Sequence, residues 1–470
     1  MRVLAEHKAS FAQPSALDML GGRRTMRALL AVLVVAGCSG KQAPEPQLGS
    51  APAPAGPVAA PAAVPATAPA DAAPATAILA DAATAAPPLV AAGGVDFIDD
   101  ARRLYRVAGC GGEGPLPVDL FLTITVPPSS RDENRYKKRQ TVVDRHCKAI
   151  SKDVEKFRET YYVKARKWFE DKLPADAPTE IVYPFGGGDL ISVLAAFPRA
   201  TVFTSISLEL AGDPRKLRSL TPEQLDLSLA AFRKEISWLI SLGSNTSVNL
   251  SAQQRNELPG QVSSFLLALA VGGYEPVAMR YFTLDDKGAI HYVEQAEIDA
   301  DKTATKALSG SWNKPTFAAS FRNVELAFRK IGDTRVIIHR HIAWNLDDKH
   351  LAESPGVLKH LEAKGKVTMV VKGASYLLWL KDFHTMKQYV IDHLAWMISD
   401  STGIGPKDAK AANFVQEPYG KFLGPGLPHA AGLREDAEMQ ALWKDAKPAP
   451  FRWGYIDRAN NAHLMITRPK

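Results

Sequence analysis

The chain has 470 residues, 46% of them hydrophobic, which is enough to bury a substantial core and excludes a protein disordered throughout. Its formal charge of +7 and pI near 9.1 suit contact with acidic surfaces. The basic residues are interleaved with acids rather than run together, so no nucleic-acid partner is expected.

From Met26 the chain reads MRALLAVLVVAGCSG: one Arg, an apolar run from Ala28 to Ala36, then Val35-Ala36-Gly37-Cys38. This resembles a bacterial lipoprotein signal, in which small residues precede a Cys that is acylated and becomes the mature N-terminus. The run is too short to span a bilayer as a permanent helix. The resemblance implies a signal peptide over residues 1–37, whose true start is Met26, and lipidation, with palmitate among the acyl chains, at Cys38. Ser39 rather than Asp follows the Cys, which by the enterobacterial sorting pattern implies the outer membrane of the cell envelope, facing periplasm or surface.

Residues 38–94 hold the lipidated Cys and a low-complexity Ala/Pro tract. With few aromatics and repeated Pro it cannot bury enough apolar surface to fold, and it reads as a disordered tether. As polyproline II, at about 3.1 Å per residue, it would reach on the order of 150 Å.

Residues 95–175 read as a helical N-terminal segment packed on the body that follows. A short helix runs into the turn around Cys110, and a long helix then carries Val143, Cys147, Ile150, Val154, Phe157, Tyr161 and Trp168 at steps of three, four and once seven. In the oxidising compartment of an exported protein, Cys110 and Cys147 are expected to form a disulfide, the alternative being two buried thiols.

Residues 176–470 read as an α/β domain with a Rossmann-like mixed sheet, flanking helices and added β-hairpins. It opens with an apolar strand ending at Tyr183-Pro184-Phe185, a Gly186-Gly187-Gly188 turn, a short helix from Asp189, and a second strand closing on Glu209. Thr221 and Gln224 make a capping box for a helix striped by Leu225, Leu229, Phe232, Ile236 and Leu239, and QVSSFLLALAVGG reads as another helix. From Pro276 the period falls to two, which predicts hairpins around DDKG and around Gly332-Asp333. Ser354-Pro355 starts a helix that Gly365 ends, VTMVVKG is a strand, and Phe383, Met386, Val390, Leu394 and Met397 stripe a further helix. FRWGYIDRANNAHLMITR is expected to close the chain as a hairpin.

A Gly-rich turn between strand and helix binds anions because unpaired amides and the positive helix end face the ligand. An acid 21 residues later, Glu209, would accept from ribose hydroxyls at the end of the second strand. Here, and in the terminal FRWGYI and HLMITR, the chain resembles class I S-adenosylmethionine-dependent methyltransferases. That resemblance implies a cofactor site at Gly186, Gly187, Gly188, Asp189 and Glu209. The family's acid late in the first strand is replaced by Tyr183-Pro184, and its third glycine falls at Leu190. The set YPFGGGD, KGASYL and SDSTGI also resembles an uncharacterised family of bacterial secreted or lipidated proteins.

Lys372, Ser375 and Tyr376, just after an apolar strand, would line a crevice at its carboxyl end. Asp400-Ser401-Thr402-Gly403 reads first as a helix-ending turn. His339 and His341 share one side of a strand, where core histidines are expected rather than metal ligands. No G-x-S-x-G elbow, H-E-x-x-H or Walker loop occurs in the sequence.

These observations point to a lipid-anchored envelope protein displaying a noncatalytic binding or structural module, with the membrane and a protein or envelope polymer as partners and no cofactor. The alternative is a methyltransferase-like enzyme or nucleotide-like ligand binder, the sole case in which S-adenosylmethionine enters.

Overall fold

Ten strands hydrogen-bond into a single sheet in the order β4-β3-β5-β6-β2-β1-β7-β8-β10-β9. The computed structural model describes residues 93–112, 130–242, 258–301, 319–424, 432–455 and 461–470, all within one unit, Asp81–Lys470. The signal segment, Cys38 and the tract up to residue 92 lie outside the described residues. Gly93 and Gly94, which the composition assigned to the tether, are held by the folded part: Arg280 donates to the Gly93 carbonyl and the Gly94 amide donates to Glu294.

The strands are β1 (Glu180–Pro184), β2 (Val202–Ser207), β3 (Tyr274–Leu284), β4 (Ile290–Tyr292), β5 (Asn323–Lys330), β6 (Val336–Ala343), β7 (Val367–Val371), β8 (Leu394–Ser399), β9 (Phe414–Gly420) and β10 (His463–Pro469). Five of them, β6, β2, β1, β7 and β8, run parallel. Counted along the chain, these five lie in the spatial order 3-2-1-4-5, that of a doubly wound sheet. The chain leaves β1 toward β2 and later returns on the other side of β1 with β7, so the topological switch point lies between β1 and β7. Antiparallel strands close both flanks, β3, β4 and β5 on one and β10 and β9 on the other.

Both faces of the parallel strands are covered, which is why they read as continuous apolar runs rather than alternating ones. Ile181 and Tyr183 of β1 join a core with the helices of one face, while Val182 joins the core on the other. The first face carries α1 (Ile98–Val107), α2 (Ser130–Phe157), α3 (Val163–Lys172), α4 (Leu190–Ala196), α5 (Pro222–Leu242) and α6 (Gly260–Gly272). The second carries α7 (Pro355–Glu362) and α8 (His384–His393). The capping box of α5 forms as read, the Thr221 amide donating to Gln224 and the Gln224 amide to Thr221. Among the described residues no helix is long and apolar enough to cross a membrane.

The long striped helix is two helices joined by a π-helical turn at Arg158–Tyr162. That turn fits one extra residue, so the adjacent Tyr161 and Tyr162 are both buried. Cys147 of α2 is bonded to Cys110, with a Cα separation of 5.5 Å. Beside it, His146 is hydrogen-bonded to the Ala108 carbonyl and fastens α2 to the end of α1.

Three expectations about elements need correction. Leu394 and Met397 do not extend the stripe of α8, because the chain turns at His393 into β8, and both residues pack on the second face from that strand. A five-step run such as Leu-Ala-Trp-Met-Ile buried on both sides carries no period, so it follows a helix without any signal of change. Asp400-Ser401-Thr402-Gly403 accordingly ends a strand and not a helix. The closing hairpin pairs β10 with β9, which lies before residue 424, while residues 451–455 form no strand.

Candidate functional site

The carboxyl ends of β1 and β7 deliver the residues of the switch point. After β1, Phe185 adopts φ 61°, a left-handed conformation that costs a non-glycine residue energy, and Gly187 follows at φ 45°. The Gly186 amide donates to the Ile206 carbonyl of β2, and a Cβ at Gly186 would meet the Tyr183 ring at 2.8 Å, so this glycine is demanded by packing. Gly188 and Asp189 are buried, and Asp189 stands at the start of α4 without capping it through its side chain.

Directly after β7, Lys372 reaches across the switch point. Its Nζ donates to Asp189 Oδ2 at 2.7 Å and to Ser192 Oγ at 2.8 Å, and it lies 5.1 Å from the centre of the Trp453 ring. The two charged side chains are 1% and 6% exposed. Tyr183 OH donates to the same Asp189 oxygen at 3.4 Å, and Tyr161 OH is 3.2 Å from Ser192 Oγ. Burial lowers the Lys372 ammonium from its ordinary range, opposed by the Asp189 carboxylate. Burial and the same carboxylate push the Tyr183 phenol well up.

Ser375 and Tyr376 do not join this group. Ser375 Oγ donates to Asp400, which also accepts from the Gly373 amide at 2.7 Å, the Thr402 amide at 2.9 Å and the Thr402 hydroxyl at 2.8 Å. Asp400 thereby ties the loop after β7 to the loop after β8, and Tyr455 extends the set through Thr402 at 3.0 Å. Burial raises the Asp400 carboxyl despite these donors, whose bonds favour the ionised form. Tyr376 is half-buried in the short 3-10 helix that follows.

Glu209 lies two residues past β2 and joins the core through its backbone, its carbonyl bonded to His341 Nε2 at 2.7 Å. His341 Nδ1 and His339 Nε2 flank Ser205 Oγ at 3.1 and 2.8 Å. Both rings pack against Phe265 of α6, and burial lowers both below the ordinary histidine range. They are core histidines engaged with a serine and a carbonyl, and among the described residues no group of three or more potential ligands converges on a metal position. Under the glycine turn lies a cavity of only about 10 Å³, lined by Tyr183, Gly186, Gly187, Ser205 and His339 among others. Such a space holds about one water.

The structure therefore brings together Asp189 and Lys372 from the sequence-derived set, sends Ser375 into a second network, and leaves Glu209 in the loop after β2, bonded to β6. Sequence reasoning missed Ser192, Tyr161 and Trp453, whose contacts with Lys372 or its partners span up to 180 positions and leave no local pattern. The ammonium and the carboxylate of this pair are both nearly sealed from solvent and compensate one another. No known protein family, curated protein or solved structure matches the chain.

Proposed function

We propose that this protein is a lipid-anchored component of the bacterial cell envelope, held at the outer membrane by acylated Cys38 and displaying a noncatalytic α/β binding or structural module on its Ala/Pro tether. The observation that carries the noncatalytic reading is the buried Lys372–Asp189 pair, which spans the switch point at which doubly wound sheets take nucleotides. The 10 Å³ left beneath the glycine turn is far below the 300–1,000 Å³ of ordinary small-molecule sites. The Cys110–Cys147 bond supports export, because disulfides persist in oxidising compartments.

A methyltransferase-like scaffold is the second reading, favoured by the 3-2-1-4-5 order of the parallel strands and by the positive φ at Gly187. It would require Lys372 to leave Asp189 and a cosubstrate that is not expected outside the cytoplasm. Thermal denaturation of the full chain with millimolar S-adenosylmethionine or adenosine separates the two. No displacement of the transition is expected, and a rise of several degrees with either compound would overturn the noncatalytic reading. For the anchor, Cys38→Ala is expected to abolish metabolic labelling with a fatty acid, and labelling that persists in that variant would remove the envelope placement.

A further inference from the structure

A second concavity lies at the same edge of the sheet as the switch point. β9 ends at Gly420 and β10 begins at His463, its register partner, so Lys421, Asn461 and Ala462 stand on the edge to which the parallel strands point their carboxyl ends. Open α/β sheets bind ligands outside that edge. Here α2, the π turn, the end of α5 and residues 448–452 enclose a cleft of about 840 Å³, within the range that holds a small organic molecule.

Its chemistry is asymmetric. Lys156, Lys164, Lys421 and Arg452 line it against a single acid, Asp153. Among the described residues Lys156, Lys164 and Lys421 form no ion pair, so their charges face the cleft uncompensated except by Asp153. The floor is apolar and aromatic: Phe157 stacks on Tyr161 at 4.9 Å between ring centres, and Tyr161 meets Phe451 edge-on at 5.8 Å. The π turn is the device that builds this floor, since it holds Tyr161 toward the cleft while Lys156 and Lys164 flank it eight residues apart. Helical turns of this kind are retained at sites of function because regular α-helix is otherwise more favourable. Tyr161 is in turn fixed from behind by Ser192 and, through it, by Lys372.

From these observations we infer that the cleft is a binding site for a small organic anion, one whose phosphate, sulfonate or carboxylate groups meet the lysines and whose flat apolar body rests on Phe157 and Phe451. The lining contains neither Asp189 nor Lys372 and meets the switch point only behind Tyr161, and the site does not depend on the lipid anchor. The test titrates the full chain with 8-anilinonaphthalene-1-sulfonate, an aromatic anion of this design, and follows its fluorescence with and without millimolar pyrophosphate as a competitor for the charges alone.

Saturable binding that pyrophosphate weakens, and that K156E/K164E weakens at least tenfold, is the expected result. K152E/K167E makes the same change of charge at exposed positions outside the lining and is expected to alter affinity less than twofold. Equal loss in both double variants, no loss in either, or equal binding of neutral N-phenyl-1-naphthylamine would overturn the inference. All four substituted lysines are exposed, so unfolding does not confuse the comparison, and matching thermal transitions confirm it. S-adenosylmethionine and adenosine, cationic and neutral, are not ligands of this class, so failure here and failure of the switch-point reading are distinguishable.

Discussion

Lys372 and Asp189, 183 positions apart in sequence, meet at 2.7 Å across the gap between β7 and the start of α4. Neither strand end could carry its residue alone: an ammonium or a carboxylate this deeply buried is tolerated only when paired.

Breaking the pair is therefore expected to cost more than deleting it. Lys372→Met leaves Asp189 charged and buried and is expected to lower stability by roughly 3–5 kcal/mol, and Asp189→Asn likewise leaves an uncompensated ammonium. The double variant K372M/D189N should lose less than the sum of the two. Urea denaturation of the four proteins measures the coupling, and strictly additive losses would show that the pair is not a brace.

The bond between Cys110 and Cys147 closes a loop of 37 positions. A loop of this size stabilises by roughly 3–4 kcal/mol through the chain entropy it removes from the unfolded state. Cys147→Ser, or full reduction, is expected to shift the denaturation midpoint accordingly. Alkylation of the denatured, unreduced protein followed by mass spectrometry is expected to modify neither residue, and modification of both would show that the bond is absent.

Acid should weaken the fold before the carboxylates titrate. Burial lowers His146, His341 and His360 from 6.5 to about 4 in each case. Below 6.5 the unfolded chain binds protons that the folded chain refuses, so this stability is complete above 6.5 and is lost as pH falls toward 4. Asp400, raised by burial, acts in the opposite sense at the acid end. On the order of 1 kcal/mol per histidine is expected to disappear between pH 6.5 and 5. Denaturation at pH 7, 6 and 5 reads this slope, and a flat profile would mean that these rings take up protons without unfolding.

Local rules carried much of this protein. The period-two segments, DDKG and Gly332-Asp333 gave the β3–β4 and β5–β6 hairpins, and Thr221 with Gln224 gave the start of α5, because turns and caps are decided by residues within a few positions of one another. The disulfide was also legible, since three cysteines, one of them read as the acylation site, left a single pair. The strand after α8 was not, because Leu394 and Met397 continue the helix spacing by coincidence and burial on both faces erases the alternation that marks a strand.

The apparent ligand site shows most clearly where sequence stops. Gly186-Gly187-Gly188-Asp189 after an apolar strand determined a sharp strand-to-helix turn, and the turn formed. Whether that turn faces a ligand or the protein itself depends on what stands opposite, and only the arrival of β7 beside β1 set Lys372 against Asp189 and beside the Trp453 ring. The cleft beside Tyr161 is likewise tertiary, assembled from α2, α5, the end of β9 and residues 448–452 and 461–462, whose side chains share a surface without sharing any pattern along the chain.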